Sequence, residues 1–281
     1  MAKVGVFLQG GVYMTLLEQR EKLIAKLPKS QQAERRHQIE LSDIKVAKMR
    51  TRLKVHFDDI GLEQSMDALG YMCEKHGDQI RKNGEQYIAH PLSMACMFQC
   101  LKIKNDDIFA TLLLHDVIEE SAPADVRLLT SEVAKLAEDL PVGATVKAAV
   151  RLMTLSRAYL GESDYEMKLR YFQQLIDEDK PENKIATIGK GLDRWNNITT
   201  MTELSKRAIR KNVLETSILL LPVLKKAKTK WPREANVLFL VRSNIKSMNN
   251  ILAVYNGITN LHDEAELKKL IEDKTYLQEL T

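Results

Sequence analysis

Apolar residues recur at helical spacing, every three to four positions, along most of the chain. No stretch alternates polar and apolar residues over the length of a strand. The spacing is loose before residue 60 and tightens from Gly61, where Met66, Leu69 and Met72 mark the first clear helix face. Punctuated by proline and glycine, the pattern predicts further helices over 91–101, 106–120, 124–139, 143–157, 164–177, 183–201, 204–228, 231–255 and 263–280. We therefore expect an all-α, multi-helix fold.

The same pattern divides the chain into three parts. Residues 1–60 are a predicted helical N-terminal extension, in which a short helix ends near Pro28 and a more charged helix follows. Residues 61–255 are the predicted main domain, and residues 256–281 a helical C-terminal tail. The extension has two interpretations: a solvated helical segment packed on the main domain, or a surface for self-association or for a partner protein. The sequence leaves both open, together with the oligomeric state.

Composition narrows the function classes. The 281 residues include 44% hydrophobic and 28% charged residues, with a net charge of +4, which is typical of a folded globular protein. This mild positive charge suits an anionic small molecule and is well short of a dedicated nucleic-acid binder. No apolar run approaches the roughly 18–20 residues that span a bilayer, and the N-terminus lacks a signal-peptide pattern. The sparse cysteines argue against a disulfide framework and favour a reducing, cytoplasmic compartment; they are Cys73, Cys96 and Cys100.

The strongest chemical signal is the segment Leu112-Leu113-Leu114-His115-Asp116-Val117-Ile118-Glu119-Glu120. An apolar run leads directly into a His-Asp pair, and two carboxylates follow one helical turn later. Ionisable groups are costly to bury unless something pairs with them. A divalent metal ion pairs with several of them at once. We therefore interpret this segment as the centre of a metal-dependent hydrolase.

The candidate metal ligands are His90, His115, Asp116 and Asp193. Two imidazoles and two carboxylates form a donor set of intermediate hardness that suits manganese, iron, zinc or magnesium, and ligand type alone does not choose among them. Successive helical residues point about 100° apart, so a His-Asp pair converges on one ion only from the edge of a helix face. Other helices must then supply the remaining ligands.

Three motifs resemble those of the hydrolase domain of RelA/SpoT homologues, within the His-Asp (HD) phosphohydrolase superfamily. Residues 76–91, from His76 to Pro91, resemble its opening signature, and residues 113–120 resemble its His-Asp motif with the following acidic pair. Residues 193–197 resemble its final motif. All three occur in the family's order within residues 66–201. The stretch after Met201 is too short for the family's synthetase domain, so the chain resembles the small, hydrolase-only alarmone hydrolases.

The resemblance implies an all-α HD-type domain and a particular reaction. That reaction is hydrolysis of the 3′-pyrophosphate of guanosine alarmones, the (p)ppGpp nucleotides of the stringent response, to GDP or GTP plus pyrophosphate, usually with Mn²⁺. The implied partner is a small nucleotide, with no nucleic acid and no membrane.

The resemblance also assigns roles by position. The metal would be held by His90, His115, Asp116 and Asp193. Glu119 and Glu120 would be the catalytic carboxylates that orient or deprotonate water. Arg81 would lie against the guanine base, because a guanidinium group stacks on flat π-systems. Lys82 would face phosphate, and Asn197 would hydrogen-bond the base or ribose.

Departures from the family pattern keep other functions open. Glu120 stands where the family usually has aspartate, Asn83 replaces a usual serine, and Trp195-Asn196 replaces a usual Leu-His. The extra methylene of Glu120 displaces its carboxylate, and small displacements of catalytic groups can lower rates. The enzymatic alternative is the same fold acting on an adenosine alarmone (ppApp), as in antitoxin-like hydrolases, or on NADPH. The non-enzymatic alternative is a catalytically weak nucleotide sensor.

Overall fold

The computed structural model describes residues 15–81, 83–122, 127–201 and 204–273. In these ranges the α-helices are α1 (Leu16–Ala25), α2 (Lys29–Ile60), α3 (Glu63–His76), α4 (Ala89–Cys100), α5 (Asp106–Leu114), α6 (Thr130–Glu138), α7 (Ala144–Met153), α8 (Asp164–Asp177), α9 (Pro181–Thr200), α10 (Lys206–Glu215), α11 (Leu221–Lys230), α12 (Ala235–Tyr255) and α13 (Glu264–Glu272). A π-helical segment, Thr216–Leu220, joins α10 to α11. The same ranges contain no strand and one isolated bridge, between Ile80 and Gln86. The predicted all-α fold is confirmed.

Local sequence signals explain several helix starts. Thr15 caps α1 and Ser163 caps α8, and each forms a capping box with the glutamate three residues later. Asp263 caps α13 by accepting a hydrogen bond from the Glu266 amide. Helix α8 has its predicted bounds, and α12 ends at its predicted residue, Tyr255. Capping side chains satisfy amides that have no partner within the helix, so these starts are encoded locally.

The chain divides between Val117 and Ile118 into two compact units. In the first unit, α3 packs on α5, and α2 packs on both α3 and α4. Three buried phenylalanines meet edge to face, with ring centroids 5.1 Å apart for Phe57 and Phe109 and 4.8 Å apart for Phe98 and Phe109. Such aromatic pairs contribute large buried areas and a preferred geometry. This core packs the end of α4 against the start of α5, and the two candidate histidines lie at the opposite ends of these helices.

Helix α9 is the central helix of the second unit and packs against α7, α8 and α12. Most of its residues from Asn183 to Ile198 are buried. At Gly191, a Cβ atom would lie only 2.7 Å from Val241 Cγ1 of α12, so glycine permits this close approach of the two helices. The packing sets the rotation of α9 about its axis and therefore the direction of the face that carries Asp193.

Helix α5 ends at Leu114, earlier than the predicted end near residue 120. His115 is the C-cap residue, and its Nδ1 lies 2.9 Å from the Leu112 carbonyl oxygen. The Val117 amide donates to the Leu114 carbonyl. These bonds satisfy carbonyls at the helix end that lack an intrahelical donor. The His-Asp pair therefore lies on a turn after the helix, and the expectation that one helix carries it is wrong.

The remaining expectations concern the cysteines, membrane-spanning helices and the boundaries of the three parts. The cysteines Cys73, Cys96 and Cys100 are free thiols in this structure. No helix in the described ranges has both the length and the apolar character needed to cross a membrane. The part boundaries at residues 60 and 255 stay predictions.

Candidate metal and substrate site

The two candidate histidines face each other in the first unit. His90 is the second residue of α4, His115 follows α5, and both are buried. Their Nε2 atoms are 3.2 Å apart. Because the Leu112 carbonyl can only accept a hydrogen bond, neutral His115 carries its proton on the Nδ1 that faces this oxygen. The Nε2 lone pair of His115 then points toward His90, as in metal-ligating histidines whose other nitrogen is held by a carbonyl.

Asp116 brings a carboxylate to the same point. Its Oδ1 lies 3.1 Å from His115 Nε2, and its Oδ2 lies 3.8 Å from His90 Nε2. The Tyr87 hydroxyl donates to Asp116 Oδ2 at 2.9 Å and orients the carboxylate. Two imidazoles and a carboxylate therefore converge within the first unit, and their donor atoms match a divalent metal ion of intermediate hardness.

Arg81 and Tyr87 lie on the α3–α4 loop, by which we mean the described residues 77–81 and 83–88. The Arg81 guanidinium carbon lies 5.4 Å from the centroid of the Tyr87 ring, a cation–π contact. The Arg81 Nε atom is buried and has no hydrogen-bond acceptor among the residues that the structure describes. A buried donor without an acceptor costs free energy, so a ligand that accepts from it is favoured. Lys82, the other predicted substrate-binding cation, lies outside the described residues.

Asp193 lies on α9 in the second unit and is buried. Lys190 Nζ is 2.7 Å from its Oδ2, and Asn197 Nδ2 donates to its Oδ1 at 2.6 Å. These partners are three residues before and four residues after Asp193, so all three side chains share one face of α9. A carboxylate offers about four acceptor positions, so these two bonds leave it capable of binding a metal. Asn197 orients Asp193 here, and its predicted contact with substrate stays a prediction.

Lys190 provides a permanent positive charge beside Asp193. Its Nζ also lies 5.4 Å from the centroid of the Tyr171 ring. Burial alone would lower the pKa of Lys190, but the Asp193 carboxylate, together with Tyr171 and Glu119, raises this pKa well above its ordinary value. Lys190 is therefore cationic at neutral pH and forms an ion pair with the buried Asp193 carboxylate.

The two predicted catalytic carboxylates lie on a 3₁₀ turn, Glu119–Ser121, of the second unit, and both are exposed. The Leu155 backbone amide donates to Glu119 Oε1. This bond ties the Glu119 carboxylate to the segment that follows α7 and restricts its rotation. An oriented carboxylate open to solvent is suited to act as a general base on water. The roles of Glu119 and Glu120 stay predictions.

The predicted ligands thus fall into two groups. His90, His115 and Asp116 come together within the first unit, and Asp193 is oriented by Lys190 within the second. The donor types and the burial of His90, His115 and Asp193 suit a divalent metal ion. The assignment of individual residues to one metal ion stays a prediction.

Two residues of these groups were not predicted from the sequence. Lys190 lies three residues before Asp193, and this spacing alone is a signal for an ion pair on a helix. Tyr87 lies inside the opening signature, three residues before His90, but its hydroxyl reaches Asp116 across 29 positions of sequence. A local pattern carries no signal for that contact.

Replacing Tyr87 by phenylalanine is expected to weaken Mn²⁺ binding about tenfold, because loss of a group that orients a metal ligand costs about 10–100-fold in affinity. Isothermal titration of Mn²⁺ into the purified protein measures this change. Tyr165→Phe is the matched control, since the Tyr165 hydroxyl also donates to a carboxylate at 2.9 Å, that of Glu264, which is not a predicted ligand. Equal affinity in the wild type and Tyr87→Phe would contradict a ligand role for Asp116.

The chain is similar in sequence to several known proteins. The chain is 27% identical over 176 residues to a GTP pyrophosphokinase of Myxococcus xanthus, covering 62% of this chain and 22% of that protein. It is 27% identical over 145 residues to the bifunctional (p)ppGpp synthase/hydrolase SpoT of Escherichia coli, covering 50% of this chain and 19% of that protein. It is 42% identical over 59 residues to a guanosine-3′,5′-bis(diphosphate) 3′-pyrophosphohydrolase of Aquifex aeolicus, covering 21% of this chain and 8% of that protein.

The matches cover only a small part of each relative. The chain spans less than a quarter of the length of these three proteins. No protein-family model matches the chain, and no solved structure matches it. The names of the relatives cover both synthesis and hydrolysis. At modest identity, the relatives confirm that this chain resembles the hydrolase domain of the RelA/SpoT family.

Proposed function

We propose that the protein is a divalent-metal-dependent 3′-pyrophosphohydrolase of guanosine alarmones, which converts (p)ppGpp to GDP or GTP plus pyrophosphate. The observation that carries this proposal is the convergence of His90, His115 and Asp116, with Nε2 atoms 3.2 Å apart and a carboxylate oxygen 3.1 Å from His115. Relatives named as a guanosine-3′,5′-bis(diphosphate) 3′-pyrophosphohydrolase and as a bifunctional (p)ppGpp synthase/hydrolase support the proposal. Their chemistry suits metal-assisted hydrolysis.

The proposed metal ligands are His90, His115, Asp116 and Asp193. The carbonyl that accepts from His115 Nδ1 supports the ligand role of its Nε2, and the Tyr87 hydroxyl supports that of Asp116. When bound, a divalent ion supplies Lewis-acid polarisation of the phosphate and lowers the pKa of an attacking water. The resemblance favours Mn²⁺, while the donor set also accommodates iron, zinc or magnesium.

The other proposed roles belong to groups around the reacting phosphate. Water adds to the phosphorus bonded to the ribose 3′ oxygen, the bond between them breaks, and the 3′ oxygen takes up a proton. Glu119, oriented by the Leu155 amide, accepts the proton from water. Glu120 supplies a second carboxylate from the same turn. Arg81 offers its guanidinium and its buried Nε to the guanine base, Lys82 contacts phosphate, and Asn197 contacts the base or ribose.

The cellular setting follows from the same proposal. The substrate is an anionic nucleotide, which the net charge of +4 supports. The three free cysteines support a reducing compartment, and we propose the cytoplasm.

A substrate comparison tests the proposed function. The purified protein with Mn²⁺ is expected to release pyrophosphate from ppGpp, faster than from ppApp, and to leave NADPH intact. Ion chromatography of pyrophosphate and orthophosphate distinguishes the two kinds of cleavage, and the same assay after chelation of the metal is the control. Faster release from ppApp would replace the guanosine assignment with the adenosine one. Release of orthophosphate from NADPH alone, or tight binding of ppGpp without turnover, would overturn the pyrophosphohydrolase proposal.

A further inference from the structure

The α1–α2 hairpin forms a partly buried ion pair that also reaches the α3–α4 loop. Arg20 of α1 donates from Nη1 and Nη2 to the two carboxylate oxygens of Asp43 of α2, at 2.8 and 2.6 Å. Its remaining nitrogen, Nε, donates to the Gly84 carbonyl of the loop at 3.0 Å. Arg20 is only 8% exposed. All three guanidinium nitrogens are thus used, and this planar fork is a geometry that lysine cannot reproduce.

Asp43 also contacts a second residue of the α3–α4 loop, Gln86. Its Oδ1 also accepts a hydrogen bond from Gln86 Nε2 at 2.9 Å. Burial would raise the pKa of the Asp43 carboxyl, but the hydrogen bonds from Arg20 and Gln86 hold this pKa below its ordinary value. Asp43 is therefore ionised at neutral pH. Its carboxylate oxygens accept hydrogen bonds from Arg20 of α1 and from Gln86 of the α3–α4 loop.

Backbone hydrogen bonds make the α3–α4 loop compact, so a shift at Gly84 or Gln86 would also shift Arg81 and Tyr87. The Arg81 amide donates to the Glu85 carbonyl at 2.8 Å, and the Tyr87 amide donates to the Gln79 carbonyl at 2.9 Å. Gly84 has a φ of +87°, and a Cβ there would lie 2.7 Å from Ile39 Cδ1 of α2. This left-handed backbone conformation favours glycine, and the absence of a Cβ atom lets the Ile39 side chain pack against it. The hairpin therefore contacts the loop through apolar packing as well as through hydrogen bonds.

The residue after Gln86 connects the loop to the candidate metal ligands. Tyr87 donates to Asp116 and lies beneath the Arg81 guanidinium. A displacement of Gln86 would move Tyr87 as well, because consecutive Cα atoms are only about 3.8 Å apart and the peptide is rigid. The position of Arg81, which is predicted to bind the base, and the orientation of Asp116 thus depend on Gln86, which Asp43 holds in place.

We propose that Arg20 and Asp43 are positioning residues, through which the N-terminal hairpin sets the α3–α4 loop for binding of the nucleoside part of the substrate. The proposal rests on the proposed function for its substrate, and it gives the N-terminal helices a role in the site of their own chain. The hairpin has apolar anchors that are independent of this ion pair, since Ile24, Val46 and Phe57 are buried. Loss of the pair therefore loosens the loop and leaves the hairpin in place.

Arg20→Lys and Asp43→Asn test this role, because both keep side-chain size while breaking the bidentate pair. Each is expected to raise the KM for the nucleotide about tenfold with a smaller change in kcat, since misplaced substrate-positioning groups cost up to about 100-fold. Hydrogen exchange at the Arg81, Gly84 and Tyr87 amides is expected to become at least about tenfold faster. Arg36→Lys is the matched control: Arg36 pairs with Glu21 on the same hairpin, but both are about half exposed.

The two readouts separate this proposal from the proposed function. Faster loop exchange in Arg20→Lys and Asp43→Asn, with unchanged exchange in Arg36→Lys, supports positioning even if the wild type proves inactive on every nucleotide tested. Exchange at the loop amides equal to that of the wild type in both variants would overturn it. An active wild type whose KM is unaffected by both substitutions would overturn it as well. Equal loss of exchange protection throughout α1 and α2 would show general unfolding of the hairpin and contradict the specific role.

Discussion

His115→Ala is expected to lose divalent-metal binding and hydrolysis together. The imidazole removed is buried, and its Nε2 lies 3.2 Å from His90 Nε2 and 3.1 Å from Asp116 Oδ1, so no other residue of this turn can replace it. Because loss of a supporting partner alone costs about 10–100-fold in metal affinity, loss of a direct ligand should exceed the upper end of this range. Isothermal titration with Mn²⁺ and metal analysis of the dialysed protein measure the affinity, and pyrophosphate release measures the activity.

Two further variants make this result specific. Glu119→Gln is expected to bind Mn²⁺ like the wild type while its turnover falls by about 10²–10⁴-fold, the usual contribution of a general base. His37→Ala removes an imidazole from α2 that is 69% exposed, and it should change neither property. Asp116→Ala should behave like His115→Ala. Full activity of His115→Ala or Asp116→Ala after removal of metal by a chelator would refute the metal assignment.

Some helix ends could be predicted from the sequence and others could not. Helices such as α8 and α13 could be predicted because capping side chains and apolar spacing lie within a few residues of each other. The end of α5 could not, since Val117 and Ile118 continue the apolar spacing and are buried. The backbone leaves the helix after Leu114 although the hydrophobic pattern does not. Apolar periodicity reports burial, and burial persists through a turn that follows a helix.

The candidate site shows the same limit at longer range. The convergence of His90, His115 and Asp116 could be expected from motifs, because each motif is local and their order is recognisable. The supporting groups could not, since Arg20 bonds the Gly84 carbonyl across 64 positions of sequence. Such a contact depends on how α1 and α2 pack, and the charge pattern of residues 1–60 is equally typical of a solvated helix. The structure therefore adds the contacts that orient the candidate ligands, which the sequence motifs do not contain.

Glu215→Gln is expected to lower the free energy of unfolding by about 3–5 kcal/mol, the usual cost of leaving a buried charge without its partner. Glu215 is 5% exposed, and its carboxylate accepts hydrogen bonds from Lys168 Nζ and from Arg194 Nη2. Burial lowers the pKa of Lys168, so this lysine can release its proton when the carboxylate is lost. Arg194 cannot, and it therefore carries most of the cost. Urea unfolding followed by circular dichroism measures the change.

A surface pair provides the matched control for this substitution. Arg210 and Glu266 form the same kind of guanidinium–carboxylate contact between α10 and α13, but their side chains are 35% and 27% exposed. Water replaces the lost partner there, so Glu266→Gln should cost only about 0–1 kcal/mol. Arg194 directly follows Asp193 on α9, so Glu215→Gln should also weaken Mn²⁺ binding if Asp193 is a ligand. A loss of stability no larger than that of Glu266→Gln would show that the buried cluster tolerates the uncharged side chain.

The pH dependence of this difference follows from the direction of the Glu215 pKa. Burial opposes ionisation, but Lys168 and Arg194 hold the pKa of Glu215 far below its ordinary value of 4.5. A depressed pKa stabilises the folded state above the unfolded value, and this contribution is lost as the pH falls toward the folded value. The stability difference between wild type and Glu215→Gln should therefore be largest at pH 5 and above, and smaller at pH 3.5 by about 1.4 kcal/mol per pH unit below 4.5. A difference that stays constant down to pH 3.5 would mean that the carboxylate is not held ionised by these two cations.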